Sequence, residues 1–251
     1  MFPRRIRICV VFGIPVYLDM SLIILLLLFA TSGGPFVLSM ACALMLLVSI
    51  TAHELGHALT ARAFGYGTRD ITLSLLGGCA SLIALPRKAW QEFLTAIAGP
   101  AVSFAIAGIS LVVLLFAPLD RWTASLLSYA LWMNAILGAF NLLPGFPMDG
   151  GRVFRSVMRA FMSRERATYI AMIVGRGVAI LLGLWGLHRI VSGTGWGFIT
   201  ILIAWMIWRE GWREYQMALM EERSRAWGDW SARVSPPPYG GDDDEVEIRE
   251  D

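Results

Sequence analysis

The sequence predicts an all-α polytopic membrane protein: about six transmembrane helices with a small membrane-associated β hairpin or sheet segment. Composition is the first reason, because 57% of the 251 residues are hydrophobic and only 16% charged, and the mean hydropathy of +0.62 lies outside the range of soluble globular domains. The second is a series of apolar runs, each near the ~20 residues a bilayer-crossing helix needs; a chain of this length has too little interior to hide several of them against one another. The third is the placement of Lys and Arg, which alternates from loop to loop as cytoplasmic and external loops should.

The runs extend over residues 16–30, 36–64, 93–117, 123–143, 167–187 and 196–208. Asp19 interrupts the first, and the last is short unless it continues through Trp212. The first is also too long, and too soon followed by the second, for a simple cleaved signal peptide. With Arg4, Arg5 and Arg7 placed inside, the loop after the second run holds Arg62, Arg69, Arg87 and Lys88, and the loop after the fourth holds Arg152, Arg155, Arg159, Arg164 and Arg166. The opposite loops carry only Arg121 and Arg189, while Arg209 and Arg213 follow the sixth run on the inside. The expectation is a multi-pass protein of the cell membrane with both termini cytoplasmic.

Between the second and third runs lies DITLSLLGGCASLIALP, Asp70 to Pro86. Its β-branched start and central Gly-Gly predict a hairpin or sheet-like segment at the membrane surface, with a strand edge free to pair with an extended peptide. Residues 1–210 are expected to form the membrane domain. Residues 211–251 read as a cytoplasmic tail with a helical start and a disordered acidic end, SPPPYGGDDDEVEIRED. Cys9, Cys42 and Cys79 lie far apart with no CxxC spacing, which points to neither a disulfide framework nor a thiolate zinc site. The net charge of +2 gives no reason to expect a nucleic-acid partner.

The chemistry is concentrated in VSITAHELGHALTARAFG, Val48 to Gly65, where His53, Glu54 and His57 interrupt an apolar run. Ionisable groups inside a span are costly and mark function, and two of the chain's three histidines stand here. Residues four apart on a helix share a face, offset by ~40° and ~6 Å, so both imidazoles can reach one metal ion. Glu54 then stands beside the metal, where it can take a proton from bound water; this is the HExxH pattern of zinc hydrolases.

Catalytic zinc commonly takes three protein ligands, so a third must come from elsewhere. His188 falls at the far end of the fifth run, away from the pair. Asp149 is the better candidate: in AFNLLPGFPMDGGRVF, Ala139 to Phe154, the prolines and glycines must break the fourth helix near its cytoplasmic end, at the depth of the histidines.

HELGH together with NLLPGFPMDGG resembles the site-2 protease family of intramembrane zinc metalloproteases. GIPVYLDMSLIILL, LLGG and the AGP at 98–100 extend the likeness over roughly residues 10–210. The resemblance implies one Zn2+ per chain on His53, His57 and Asp149, with Glu54 as general base and then proton donor, and Asn141 in contact with substrate or the developing oxyanion. It further implies hydrolysis of peptide bonds within or near transmembrane segments, in regulated intramembrane proteolysis on the cytoplasmic side of the lipid bilayer. The implied substrate is a transmembrane protein such as a membrane-tethered transcriptional regulator, for example an anti-sigma factor. No loop has room for a PDZ domain, nor the tail for a CBS domain, so a minimal core form is expected.

Two departures from the family pattern are Ser103, where many members carry Asn, and Met148, where Leu is commoner; neither is expected to touch the metal chemistry. Glu92 reads as an interfacial helix-start residue, and Asp19 and Arg176 as structural polar groups that could pair with each other. Two other readings stay open at this stage. One is a different membrane HExxH peptidase with a glutamate such as Glu165 or Glu210 as third ligand; the other is a non-catalytic membrane protein with structural zinc.

Overall fold

The computed structural model describes residues 5–20, 22, 36–74, 77–83, 86, 88–193 and 197–233. Their order is β1 (Arg5–Val11), β2 (Ile14–Asp19), α1 (Phe36–Ala63), β3 (Thr68–Ser74), β4 (Gly77–Leu82), α2 (Ala89–Phe116), α3 (Arg121–Asn141), α4 (Asp149–Met158), α5 (Arg164–Val191) and α6 (Gly197–Arg233). The molecule is a helical bundle with a small open sheet.

Among the described residues four helices, α1, α2, α3 and α5, are long and apolar enough to cross a membrane, which makes this a multi-pass membrane protein. The two marginal runs behave differently. The first begins as strand β2, and most of its remainder lies outside the described residues. The sixth forms the start of α6, but the apolar part, residues 197–208, gives way to Arg209 and Glu210. Twelve helical residues rise only ~18 Å against a ~30 Å hydrocarbon core. The acidic end of the tail also lies outside the described residues.

The sheet is larger than the sequence led us to expect. Its strands lie in the order β1-β2-β3-β4, antiparallel for β1/β2, parallel for β2/β3 and antiparallel for β3/β4. The Asp70–Pro86 segment is a hairpin as predicted, but it is only half of the sheet. The N-terminal stretch, which the sequence placed inside by its arginines without a predicted element, supplies the other half. Its physical basis is an alternation of Ile6, Ile8 and Val10 with Arg5, Arg7 and Cys9, the period of a strand. The turn at Phe12 and Gly13 has φ of 51° and 82°, the left-handed pair that suits a tight hairpin.

One face of the sheet is buried on α1. Val16, Ile71 and Leu73 are fully covered and cluster with Leu46, Ile50 and Ala58, so the strands are seated on the helix that carries HELGH. On its other side α1 meets α2 closely: a Cβ at Gly56 would lie 2.8 Å from the Ala98 carbonyl oxygen. Small residues let membrane helices approach in this way. Helix α3 is capped by Asp120, whose carboxylate accepts from the Trp122 and Thr123 amides at 2.9 and 3.1 Å. It ends at Asn141, before the proline-rich loop that leads into the ten-residue α4. Gly145 of that loop lies against Gly175 of α5, where a Cβ on Gly145 would come within 2.6 Å of the Gly175 Cα.

Candidate metal centre

His53 and His57 project from one face of α1, with ring centroids 4.9 Å apart and planes at 77°. Asp149 is the first residue of α4, delivered there by the break after α3. Its Oδ2 lies 3.1 Å from Nε2 of His53 and 3.1 Å from Nε2 of His57. All three residues are buried, and their donor atoms lie within 4.8 Å of one another. Among the described residues this is the cluster of three or more potential ligands that could hold a metal ion.

Each imidazole is held from behind by α2. The Nδ1 of His57 lies 2.7 Å from the Thr95 carbonyl oxygen. A carbonyl only accepts, so this nitrogen carries the proton, and the Nε2 of the neutral ring presents a lone pair. The Nδ1 of His53 lies 2.9 Å from the Ser103 hydroxyl. Ser103 is fully buried and, contrary to expectation, touches a candidate metal ligand; contact across the α1–α2 interface brings it there. Gly99 sits between these two partners, and a Cβ on it would come within 2.2 Å of His57 Nε2 and 2.7 Å of His53 Nε2. The two rings occupy the space that any other residue at position 99 would fill.

The donor set fits a divalent cation. A neutral His57 aims a lone pair at a carboxylate oxygen, two acceptors facing each other in a buried site, and a cation between them resolves the conflict. Donors on one tetrahedral zinc, with bonds of ~2.0–2.1 Å, lie roughly 3.3 Å apart, close to the 3.1 Å from Asp149 to each histidine. His53, His57 and Asp149 would hold one Zn2+ per chain.

Glu54 does not join the donors. Its Oε2 accepts from the Ala80 backbone amide of β4 at 3.0 Å, and a Cβ at Gly78 would lie 2.4 Å from its Cγ. Strand β4 therefore lies directly against this carboxylate. Asn141 ends α3 with its amide donating to the Leu137 carbonyl at 3.1 Å. The rival third ligands are elsewhere: Glu210 pairs with Arg213 at 2.8 Å, and Glu165 lines a cavity with Tyr169 and Tyr215. Arg176 lies over the rings of Trp208 and Trp212.

Sequence reasoning missed the groups that hold these residues. Thr95, Gly99 and Ser103 recur at helical spacing on one face of α2, and Glu92 extends the same face. Glu92 does start the helix, but it is 5% exposed and binds Arg155 and Arg159. The AGP tripeptide was the one local signal of this wall.

The sequence profile of peptidase family M50 matches residues 41–124 and 117–184 of the chain. A putative zinc metalloprotease of Synechocystis is 35% identical over 254 residues, covering 94% of this chain and 66% of the relative. A zinc metalloprotease of Methanocaldococcus jannaschii is 33% identical over 184 residues, covering 72% and 54%. The chain thus spans between about half and two thirds of the length of these curated relatives. Among solved structures, a site-2 protease from Methanocaldococcus jannaschii superposes with a TM-score of 0.63 at 29% identity, covering 84% of this chain and 95% of that one.

Proposed function

The chain belongs to peptidase family M50, and from that premise we propose that it is an intramembrane zinc metalloprotease hydrolysing peptide bonds within or near the transmembrane segments of membrane proteins. The observation that carries the reading is the junction of two imidazole nitrogens and one carboxylate oxygen at 3.1 Å, with Glu54 alongside but outside the donor set. Zinc bound there would lower the pKa of a water molecule and polarise the scissile carbonyl.

The chain's own residues do the rest. Glu54 accepts the water proton and returns it to the leaving amine. While it does so, the Ala80 amide holds its carboxylate against β4. Asn141 stabilises the developing oxyanion once its amide turns from the Leu137 carbonyl, a role consistent with its place at the helix break. An extended substrate segment adds to the outer edge of β4, where its freed backbone groups find partners beside Glu54.

Both termini and the active site are placed on the cytoplasmic side, which the Lys and Arg distribution supports. Residues 1–210 act as the catalytic domain and 211–251 as its tail. The substrate class is a membrane-tethered regulator such as an anti-sigma factor.

The test uses the full chain in detergent or liposomes. Glu54→Gln keeps one zinc per chain and loses about 10²- to 10⁴-fold in cleavage rate, the usual worth of a general base. Asp149→Ala loses the zinc. Full turnover by the Glu54→Gln protein overturns the reading. Comparing membranes that hold the wild-type protein with those that hold this variant then identifies the substrate as the protein that accumulates.

A further inference from the structure

The most deeply buried cation in the described structure lies at the far end of α4 from Asp149. Arg155 is 1% exposed. A guanidinium taken out of water is tolerated only when paired and hydrogen-bonded, and two helices supply the partners. Glu92 of α2 accepts from Nε at 2.7 Å and from a second guanidinium nitrogen. Glu214 of α6 accepts from Nη1 at 2.6 Å. The guanidinium also lies 4.9 Å over the ring of Phe146, in the loop just before Asp149, and Arg159 shares Glu92.

Helix α4 has only ten residues, fewer than the ~12–15 at which an isolated helix becomes even marginal. Its direction is therefore set by what grips it. One grip is α2, whose face carries Glu92 in line with Thr95, Gly99 and Ser103, the residues that hold the two histidines. Helix α5 packs along α4 as well, and the polar half of α6 reaches it through the Glu214 side chain. We propose that Arg155 is a positioning residue which, clamped between Glu92 and Glu214, aims α4 so that Asp149 meets His53 and His57. Metal affinity then depends on whether the segment of α6 beyond residue 208 is seated. The inference rests on the metalloprotease reading only in taking Asp149 as a metal ligand.

Losing Glu214 leaves Arg155 held by Glu92 of α2 without its carboxylate partner on α6, so the clamp is unbalanced from the α6 side. The test measures zinc affinity of the full chain in detergent by competition with a chromophoric chelator, and the melting temperature of each zinc-free protein. Glu214→Gln is expected to weaken zinc binding about tenfold, the lower end of what is lost when a group that orients a metal ligand is removed. Glu221→Gln cuts the Arg164–Glu221 pair between α5 and α6, 3.2 Å long, and leaves both carboxylate partners of Arg155 in place; it is expected to stay within about twofold of wild type.

A merely structural role would lower melting and leave the zinc affinity of the folded protein unmoved. That result, or an equal loss in both variants, overturns the proposal. If Glu214→Gln does not fold, Glu214→Asp replaces it, with a smaller loss expected and an unchanged affinity again overturning the proposal. Asp149→Ala is run alongside. A silent Asp149→Ala refutes the metal reading itself, whereas a normal response there beside a silent Glu214 variant refutes the positioning alone.

Discussion

Two small contacts decide what the imidazoles can do. Thr95 offers His57 a backbone carbonyl and Ser103 offers His53 a hydroxyl, and each fixes a ring whose other nitrogen faces Asp149. Removing the hydroxyl leaves His53 free to rotate and able to present the wrong tautomer. Ser103→Ala is therefore expected to weaken zinc binding by about 10-fold or more. Its effect on melting should be small, since the change removes one buried hydroxyl and its partner can rearrange. Chelator competition on the purified protein checks this, and unchanged affinity would show that His53 needs no help from α2. The HELGH spacing was legible because its geometry is local, four residues on one helix. Asp149 was legible because prolines must end a helix. Ser103 was not, because its meaning arises only from the register of α2 against α1, for which no short stretch of sequence carries a sign.

At the scale of elements, β4 is the strand that links sheet and site. Its amides alternate in direction: Ile83 points inward to the Gly67 carbonyl at 2.8 Å, and Ala80 points outward to Glu54. The amide of Leu82, two residues from Ala80, shares the outward side. Proline is tolerated on a sheet edge where its missing N–H faced away from the neighbouring strand, so Leu82→Pro should preserve β3/β4 pairing while denying one hydrogen bond to an added strand. Zinc content is expected to hold and cleavage of a transmembrane substrate to fall about fivefold or more, the worth of one net hydrogen bond. Equal cleavage would exclude pairing along this edge. Leu73, which the sequence marked as part of the same segment, is a poorer probe because it is fully buried inside the sheet.

The β3/β4 hairpin was legible from its turn and its β-branched start. The β1/β2 hairpin was not: its strand period was present, but the arginines between the apolar residues were weighed as topology markers, and Val16 was absorbed into a long apolar run.

Across the whole molecule, α2 is a common wall that holds His53, His57 and α4 through one stripe of residues, and α6 closes the arrangement from the other side. The charges that lock it were visible in the sequence but carried another meaning there. Arg155 and Arg159 counted as cytoplasmic loop charges, whereas in the fold Arg155 is buried and Arg159 half-buried, both ion-paired to Glu92; pairing between distant helices leaves no local trace. This closure should be sensitive to acid. Burial pushes the Glu214 carboxyl up, but the Arg155 guanidinium, with Arg152 and Arg164 nearby, holds it below the ordinary glutamate range. A carboxyl lowered by folding adds stability that is fully present above its unfolded value, ~4.3, and is lost as pH falls through the folded value. The melting temperature of wild type should thus exceed that of Glu214→Gln by a constant gap from pH 8 down to about 5. Below about 4.3 the gap should close as wild type acquires the neutral carboxyl the variant already mimics. Comparing the two proteins cancels the other carboxylates that titrate in the same range, and a gap that persists unchanged to pH 3 would show that Glu214 is not held charged by Arg155.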